Sequence, residues 1–203
     1  MAVMSSSLEK RTVDAVRRLG VARPRDLTAL GLRREYVQRL TTRGVLVRVA
    51  RGLYAVPDAE ISSHRSLAEV ARAVPAATIC LLSALRFHEL TTQGPPEVWI
   101  ALDVHAWRPR RTPFPVRTVY FSGAALTAGV ELRKIDGVPV RIYSAAKTVA
   151  DCFKYRNKIG TEVAVEALKD YLKKHRRGAD ELWSFAKICR VAKVMRPYLE
   201  AAG

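Results

Sequence analysis

Ser144-Ala145-Ala146-Lys147 spells S-x-x-K, the string that pairs a serine nucleophile with a lysine base in acylating enzymes. The other strings of those enzymes, S-D-N and K-T-G, are absent: Lys147-Thr148 is followed by Val149. Ser144 stands before a helical pattern, where its hydroxyl is most simply an N-cap. Thr148 and Asp151 lie one helical turn apart and read as a structural hydrogen bond rather than an acid/base pair. Cys152 has no histidine nearby to stabilise a thiolate, and it sits with Cys80 in apolar runs as a small hydrophobe. His64, His88, His105 and His175 are too widely spaced for an H-x-x-x-H or C-x-x-C…H metal pattern. His88 follows an apolar helix face and reads as a satisfied boundary histidine. No G-x-x-x-x-G-K-[ST] or G-x-G-x-x-G run offers a phosphate cradle. These residue types therefore predict no catalytic residue, no metal and no cofactor; the chain is expected not to be an enzyme.

Charge is the stronger signal. The 203 residues carry 35 Lys+Arg against 19 Asp+Glu, a formal charge of +16. It is concentrated at the two ends: +8 over residues 1–56, +1 over 57–140 and +7 over 141–203. A basic excess of that size concerns partners and points to polyanions. An apolar fraction of 49% supports a folded core, and no apolar run approaches the roughly 18–20 residues of a membrane span. The start lacks the apolar stretch of a secretory signal, and three cysteines (Cys80, Cys152, Cys189) make no disulfide framework. A soluble cytoplasmic protein without a membrane partner is expected.

The elements that position the basic residues follow from punctuation. Ser7 is expected to cap a first helix with Leu8, Val13, Val16 and Leu19 inward, ended by Gly20. Pro24 opens a second helix with Leu27 and Leu30 inward and Gly31 as its stop. A third runs from about Arg33 to Arg43 and closes at Gly44. Val45–Val49 and Leu53–Val56 then read as strands around an Ala50-Arg51-Gly52 turn. Three short helices and a hairpin are the order of a winged helix-turn-helix. On the third helix Tyr36, Val37 and Leu40 share the core face. Arg34, Glu35, Gln38 and Thr42 occupy the opposite face, flanked by Arg39. Arg34, Gln38 and Thr42 are candidates to read base edges, and Arg33, Arg39, Arg48 and Arg51 to hold phosphates. Glu35 either accepts from a cytosine amino group or pairs with Arg39.

Beyond Pro57-Asp58 the pattern predicts an α+β domain with a small sheet and a helical C-terminal half. Helices are expected near Ser63–Val74, Leu81–Glu89, Ala145–Tyr155, Thr161–His175 and Asp180–Met195. Strands are expected at Thr78–Cys80, Val98–Leu102, Val116–Phe121, Glu131–Ile135 and Val138–Tyr143, the last two joined through Asp136-Gly137. Residues 103–115, rich in Pro and Arg, read as an exposed loop. Lys173, Lys174, Arg176 and Arg177 line the basic face of the 161–175 helix opposite Val163, Leu168, Tyr171 and Leu172. They form a second surface for DNA or for an acidic partner.

Two segments are similar to the signatures of AbiEi-type antitoxins. CLLSALRFHELTTQGPPEVWIAL (Cys80–Leu102) matches a C-L-x-S-A-L-x-x-H-x-L-T-x-Q-x-P run at Cys80, Leu81, Ser83, Ala84, Leu85, His88, Leu90, Thr91, Gln93 and Pro95. VPVRIYSAAKTVADCFKY (Val138–Tyr155) matches a T-x-x-D helix at Thr148 and Asp151. The RGLYAVP wing, Arg51–Pro57, also resembles the family's, and the likeness runs from about Leu8 to Lys193. Glu89 stands where the family usually has a small residue. The resemblance implies an N-terminal winged helix over residues 1–56 and a C-terminal antitoxin domain over 57–203. It implies a type IV toxin–antitoxin system, part of abortive-infection phage defence. Its partners would be inverted repeats in double-stranded DNA upstream of its operon and a nucleotidyltransferase-like toxin, the latter often without a stable complex. The alternatives are a solitary winged-helix regulator, or an enzyme or protein-binding module that uses the winged helix for docking.

Overall fold

The structure, a computed structural model, describes residues 2–19, 22–50, 52–57 and 64–201. The chain divides into two compact units. One takes in residues 1–75 with the short segments 111–114 and 134–140; the other holds the remainder.

The first unit opens with α1 (Ala2–Leu19), α2 (Pro24–Ala29) and α3 (Arg34–Thr42), followed by β1 (Val47–Ala50) and β2 (Leu53–Ala55). α4 (Arg65–Ala73) completes it. Val16, Leu27, Leu32, Tyr36, Val37, Leu40, Leu46 and Val56 form its core. α1 begins five residues before the expected cap, so Ser7 lies inside the helix; Gly20 falls outside the described residues. Leu8 and Leu30, expected inward, are 37% and 49% exposed. Thr12, Ala15 and Leu32 are buried instead: Thr12 and Ala15 share a helical face of α1 with Val16, and Leu32 lies in the connection between α2 and α3. One backbone pairing has no counterpart in the hydrophobic pattern. The amide of Ala22 donates to the Tyr54 carbonyl and that of Tyr54 to the Ala22 carbonyl, both at 2.9 Å.

A five-stranded sheet of order β5-β4-β3-β7-β6 carries most of its residues in the second unit. Its strands are β3 (Thr78–Ile79), β4 (Val98–Asp103), β5 (Val116–Phe121), β6 (Val130–Ile135) and β7 (Val138–Tyr143). β3 runs antiparallel to β4 and parallel to β7, and β4 runs parallel to β5. Asp136 and Gly137 both have positive φ, 47° and 77°, as a two-residue hairpin turn of the tight primed type requires. The helices are α5 (Leu81–Phe87), α6 (Ala124–Thr127), α7 (Ala145–Lys154), α8 (Arg156–Ile159), α9 (Thr161–Lys174), α10 (Ala179–Ile188) and α11 (Ala192–Glu200). The expected single helix over 180–195 is therefore two. Arg190 adopts φ +59°, which ends α10 and turns the chain into α11.

α7 sits at the centre of this core, buried from Ala146 to Phe153. Ser144 caps it, accepting from the Lys147 amide at 3.3 Å. Lys147 and Asp151 have no solvent exposure, and Nζ donates to Oδ2 at 2.6 Å. The Lys147 ammonium also lies 4.1 Å and 4.9 Å from the ring centres of Tyr143 and Phe121. Cys189 donates its thiol to Asp151 Oδ1 at 3.2 Å, so the break after α10 delivers a second donor to the carboxylate. Thr148 does not bond Asp151; its hydroxyl donates to the Tyr143 carbonyl at 3.3 Å. Gly129 (φ +71°) closes the site: a Cβ there would lie 2.7 Å from Lys147 Cβ, and its carbonyl accepts from the Ser144 amide.

His88 donates from Nε2 to the Tyr143 carbonyl at 2.8 Å, tying the end of α5 to the end of β7. Burial pushes its pKa below the ordinary 6.5, and the bond to Tyr143 opposes that only in part. A depressed folded pKa means that His88's contribution to stability is full above the ordinary value and is lost as pH falls through the folded one. His88→Gln, whose amide can still donate to Tyr143, is expected to flatten the loss of stability below about pH 6.5 in denaturant titrations run at several pH values. Asp151→Ala leaves a buried ammonium unpaired and is expected to cost about 3–5 kcal/mol. Replacing both partners with apolar residues of similar volume, Lys147→Met with Asp151→Leu, should recover most of that in the same assay.

Candidate nucleic-acid interface

α3 displays the first basic surface because its two faces differ completely. Tyr36, Val37 and Leu40 are buried, while Arg34, Glu35, Gln38, Arg39 and Thr42 are exposed. Arg33 precedes the helix in extended conformation at its N-cap position (φ −72°, ψ 147°) and is also exposed. The Thr42 hydroxyl donates to the Gln38 carbonyl at 3.1 Å, which leaves its oxygen lone pairs for an incoming donor. Arg39 turns aside, its guanidinium 5.3 Å from the centre of the Tyr36 ring. No Glu35–Arg39 ion pair forms among the described residues, so the Glu35 carboxylate remains on the exposed face.

The wing is set by local backbone geometry. Arg48 pairs across the hairpin with Tyr54, and the register slips between Arg48 and Ala50. Gly52 reverses the chain at φ +73°, a conformation that costs a side chain with a Cβ about 1–2 kcal/mol. Arg51 lies outside the described residues. Leu53 and Ala55 are buried, and Tyr54 between them is half-buried, packed against the edge of the first unit's core on the opposite face of the strand.

Helix and wing enclose one groove of about 540 Å³, lined by Pro24, Arg34, Gln38, Thr41, Thr42, Arg48, Gly52 and Tyr54. All three of the expected base readers and the first wing arginine thus face the same space. Arg33 and Arg39 do not line it. Tyr54 and Thr41 were missed by pattern reading; alternation from Leu53 would have pointed to Tyr54. Two acids of this segment are committed elsewhere, Glu9 accepting from Arg43 at 2.7 Å and Asp26 from Arg72 Nη2 at 2.7 Å, while Glu35 stays exposed beside Arg34. Among the described residues neither Arg34 nor Arg48 has a carboxylate partner, so the groove keeps its positive charge.

The second basic surface is partly spent within the fold. Lys173, Lys174, Arg176 and Arg177 are all exposed at the end of α9 and just beyond it. Lys174, however, donates to the Glu89 carbonyl at 2.8 Å and lies 3.3 Å from Glu89 Oε2. Glu89 has φ +55°, a left-handed conformation that a side chain with a Cβ adopts at a cost. Here the Lys174 bonds hold the strained residue. Lys173, Arg176 and Arg177 are left to face solvent.

The residues with nucleophilic chemistry are turned inward. Cys80, Cys152 and Cys189 are buried free thiols. Burial pushes all three up, Cys189 to about 12. A thiol so placed is a poor nucleophile at neutral pH. Ser144 is occupied as a cap and Lys147 by Asp151, so the S-x-x-K string is structural. Among the described residues no three His, Cys, Asp or Glu side chains gather as a metal-binding group, and no helix is long and apolar enough to cross a membrane.

Three helices and a two-stranded wing make the first unit a winged helix-turn-helix. Residues 11–57, from α1 to the end of the wing, match the family model described as "Transcriptional regulator, AbiEi antitoxin". The AbiEi-type resemblance is thereby supported over the N-terminal segment, and the family is one of regulators. No curated protein matches the chain.

Asp26 holds this unit in shape. Its carboxylate accepts from the Arg23 amide at 2.8 Å at the start of α2 and from Arg72 of α4. Asp26→Ala is expected to lower stability by about 1–3 kcal/mol in thermal or denaturant melts, since it removes a helix-capping acceptor and leaves a partly buried arginine unpaired. Asp26→Asn, which keeps the acceptor, should recover part of it.

Proposed function

We propose that this chain is the antitoxin of a type IV toxin–antitoxin pair and a repressor of its own operon, acting in the cytoplasm. In this reading the 1–56 segment binds inverted repeats in double-stranded DNA upstream of the operon. The 57–203 segment counteracts a nucleotidyltransferase-like toxin. The observation that carries the DNA reading is the shared groove. Arg34, Gln38 and Thr42 on α3 and Arg48 on the wing line one basic space, and among the described residues neither arginine is ion-paired to a carboxylate. A recognition helix laid in a major groove presents such side chains to base edges, and a wing contacts the backbone beside it. Arg34 bidentate to guanine and Gln38 to adenine are the expected pairings. Arg33 and Arg39, which do not line the groove, hold phosphates, as does Arg51, and Lys173, Arg176 and Arg177 offer a further backbone contact. An inverted repeat takes two copies of the chain, one on each half-site. The toxin reading rests on the family description matched by residues 11–57.

Binding to the DNA just upstream of the gene should weaken linearly in log–log with salt, with about 0.9 of slope for each phosphate neutralised. Arg48→Ala should lower that slope by about 0.9 and leave sequence preference intact. Arg34→Ala and Gln38→Ala should each cost about 1–3 kcal/mol on the repeat and little on unrelated DNA. Equal losses on both DNAs would overturn the base-reading assignment. Co-expression with a nucleotidyltransferase-like protein encoded next to the gene should relieve growth arrest; failure to do so leaves a solitary regulator.

A further inference from the structure

We propose that the connection between β4 and β5 is a stacking finger for an unpaired base of RNA. Two adjacent parallel strands cannot be joined by a tight turn and need a crossover of about a dozen residues, usually helical. Here the crossover, residues 104–115, contains no helix or strand. Its start is fixed by Asp103, whose carboxylate accepts from the His105 amide at 2.8 Å and whose carbonyl accepts from the Ala106 amide at 2.9 Å. That turn places Trp107 next in the chain, and Pro109 restricts Arg108 to an extended backbone.

Trp107 is 90% exposed, whereas Trp99 is 3% exposed and Trp183 half-buried. A scattered exposed leucine needs no explanation, but an indole offers a large flat apolar face that folded chains ordinarily cover. Arg108 and Arg110 follow it in the chain, both exposed, and among the described residues neither has a carboxylate partner. No Asp or Glu occurs between Asp103 and Glu131, and Asp103 is held in its own turn. The partner must therefore combine negative charge with a flat π face. An unpaired base between phosphates does both. Duplex DNA hides its base faces in the stack, and opening a step costs a few kcal/mol. RNA loops, bulges and ends leave bases splayed and free to stack on aromatic and guanidinium planes. A lipid surface takes up tryptophan and arginine as well, but stable anchoring there needs a broad apolar face, and this loop offers one indole and the half-exposed Val104.

The test uses the full chain and fluorescently labelled oligo(A) RNA of about twelve nucleotides, read by anisotropy at about 0.2 M salt, with quenching of tryptophan emission recorded alongside. Trp107→Ala should weaken binding by about tenfold or more and abolish most of the quenching, while Trp107→Phe keeps affinity within a few-fold. Arg108→Ala with Arg110→Ala should lower the log–log salt slope by about 0.7 for each phosphate no longer neutralised. Affinity of Trp107→Ala for the upstream duplex repeat should be unchanged, which separates this site from the winged-helix groove. An unchanged affinity for RNA in Trp107→Ala, or an equal loss on an RNA duplex of the same length, would overturn the proposal. Tighter binding of oligo(dA) than of oligo(A), or Trp107-dependent binding to phosphatidylserine vesicles without RNA binding, would overturn the assignment to RNA.

Discussion

A lysine and an aspartate at the centre of an apolar core would each cost several kcal/mol if left alone. Lys147 and Asp151 are tolerable only because the surrounding residues meet nearly every polar demand that they make. Asp151 takes one bond from the lysine and one from Cys189; the ammonium faces the rings of Tyr143 and Phe121. Burial still pushes the Asp151 carboxyl above its ordinary range, against the pull of Lys147 and the Cys189 thiol. Satisfying the pair constrains distant parts of the chain. The break at Arg190 must fall where Cys189 reaches the carboxylate, Gly129 must lack a side chain, and β7 must end at Tyr143 for its ring and its carbonyl to serve α7 and His88. Those demands link the sheet to the C-terminal helices more specifically than apolar contact alone.

Much of this frame was legible in residue order. Alternation located β5 and β7 at Val116–Phe121 and Val138–Tyr143, and Asp136-Gly137 fixed the turn before β7, because period two and a turn dipeptide are local signals. The helical period placed Tyr36, Val37 and Leu40 on the inner face of α3. The groove residues Arg34, Gln38, Thr42 and Arg48 were readable for the same reason: they are what remains once the core face is assigned. What stayed hidden depended on partners far along the chain. Lys147 and Asp151 have the spacing of a helical ion pair, yet nothing local says that both are buried or that Cys189 joins them. Ala22 pairs with Tyr54 through a single backbone bridge too short to leave a pattern. Arg190 and Glu89 take left-handed conformations without the glycine that would have announced them.

The first unit solves a different problem with less material. Its core is small, and ion pairs supplement it: Arg43 with Glu9 joins the end of α3 to α1, and Arg72 with Asp26 joins α4 to the start of α2. These pairs use acids that would otherwise dilute the positive surface. Of the four acids in residues 1–56, two are so engaged, and Glu35 alone stays on the exposed face of α3. Structural economy and surface charge thus come from the same arrangement.

The strict division of α3 has a consequence for how such a protein can change. Tyr36, Val37 and Leu40 carry the packing of the helix, while Arg34, Gln38 and Thr42 project from the opposite side and support nothing beneath them. Mutations at the three outward positions therefore move through sequence space at almost no cost in folding. On the proposed base-reading role of those three side chains, the target sequence can change while the scaffold stays constant.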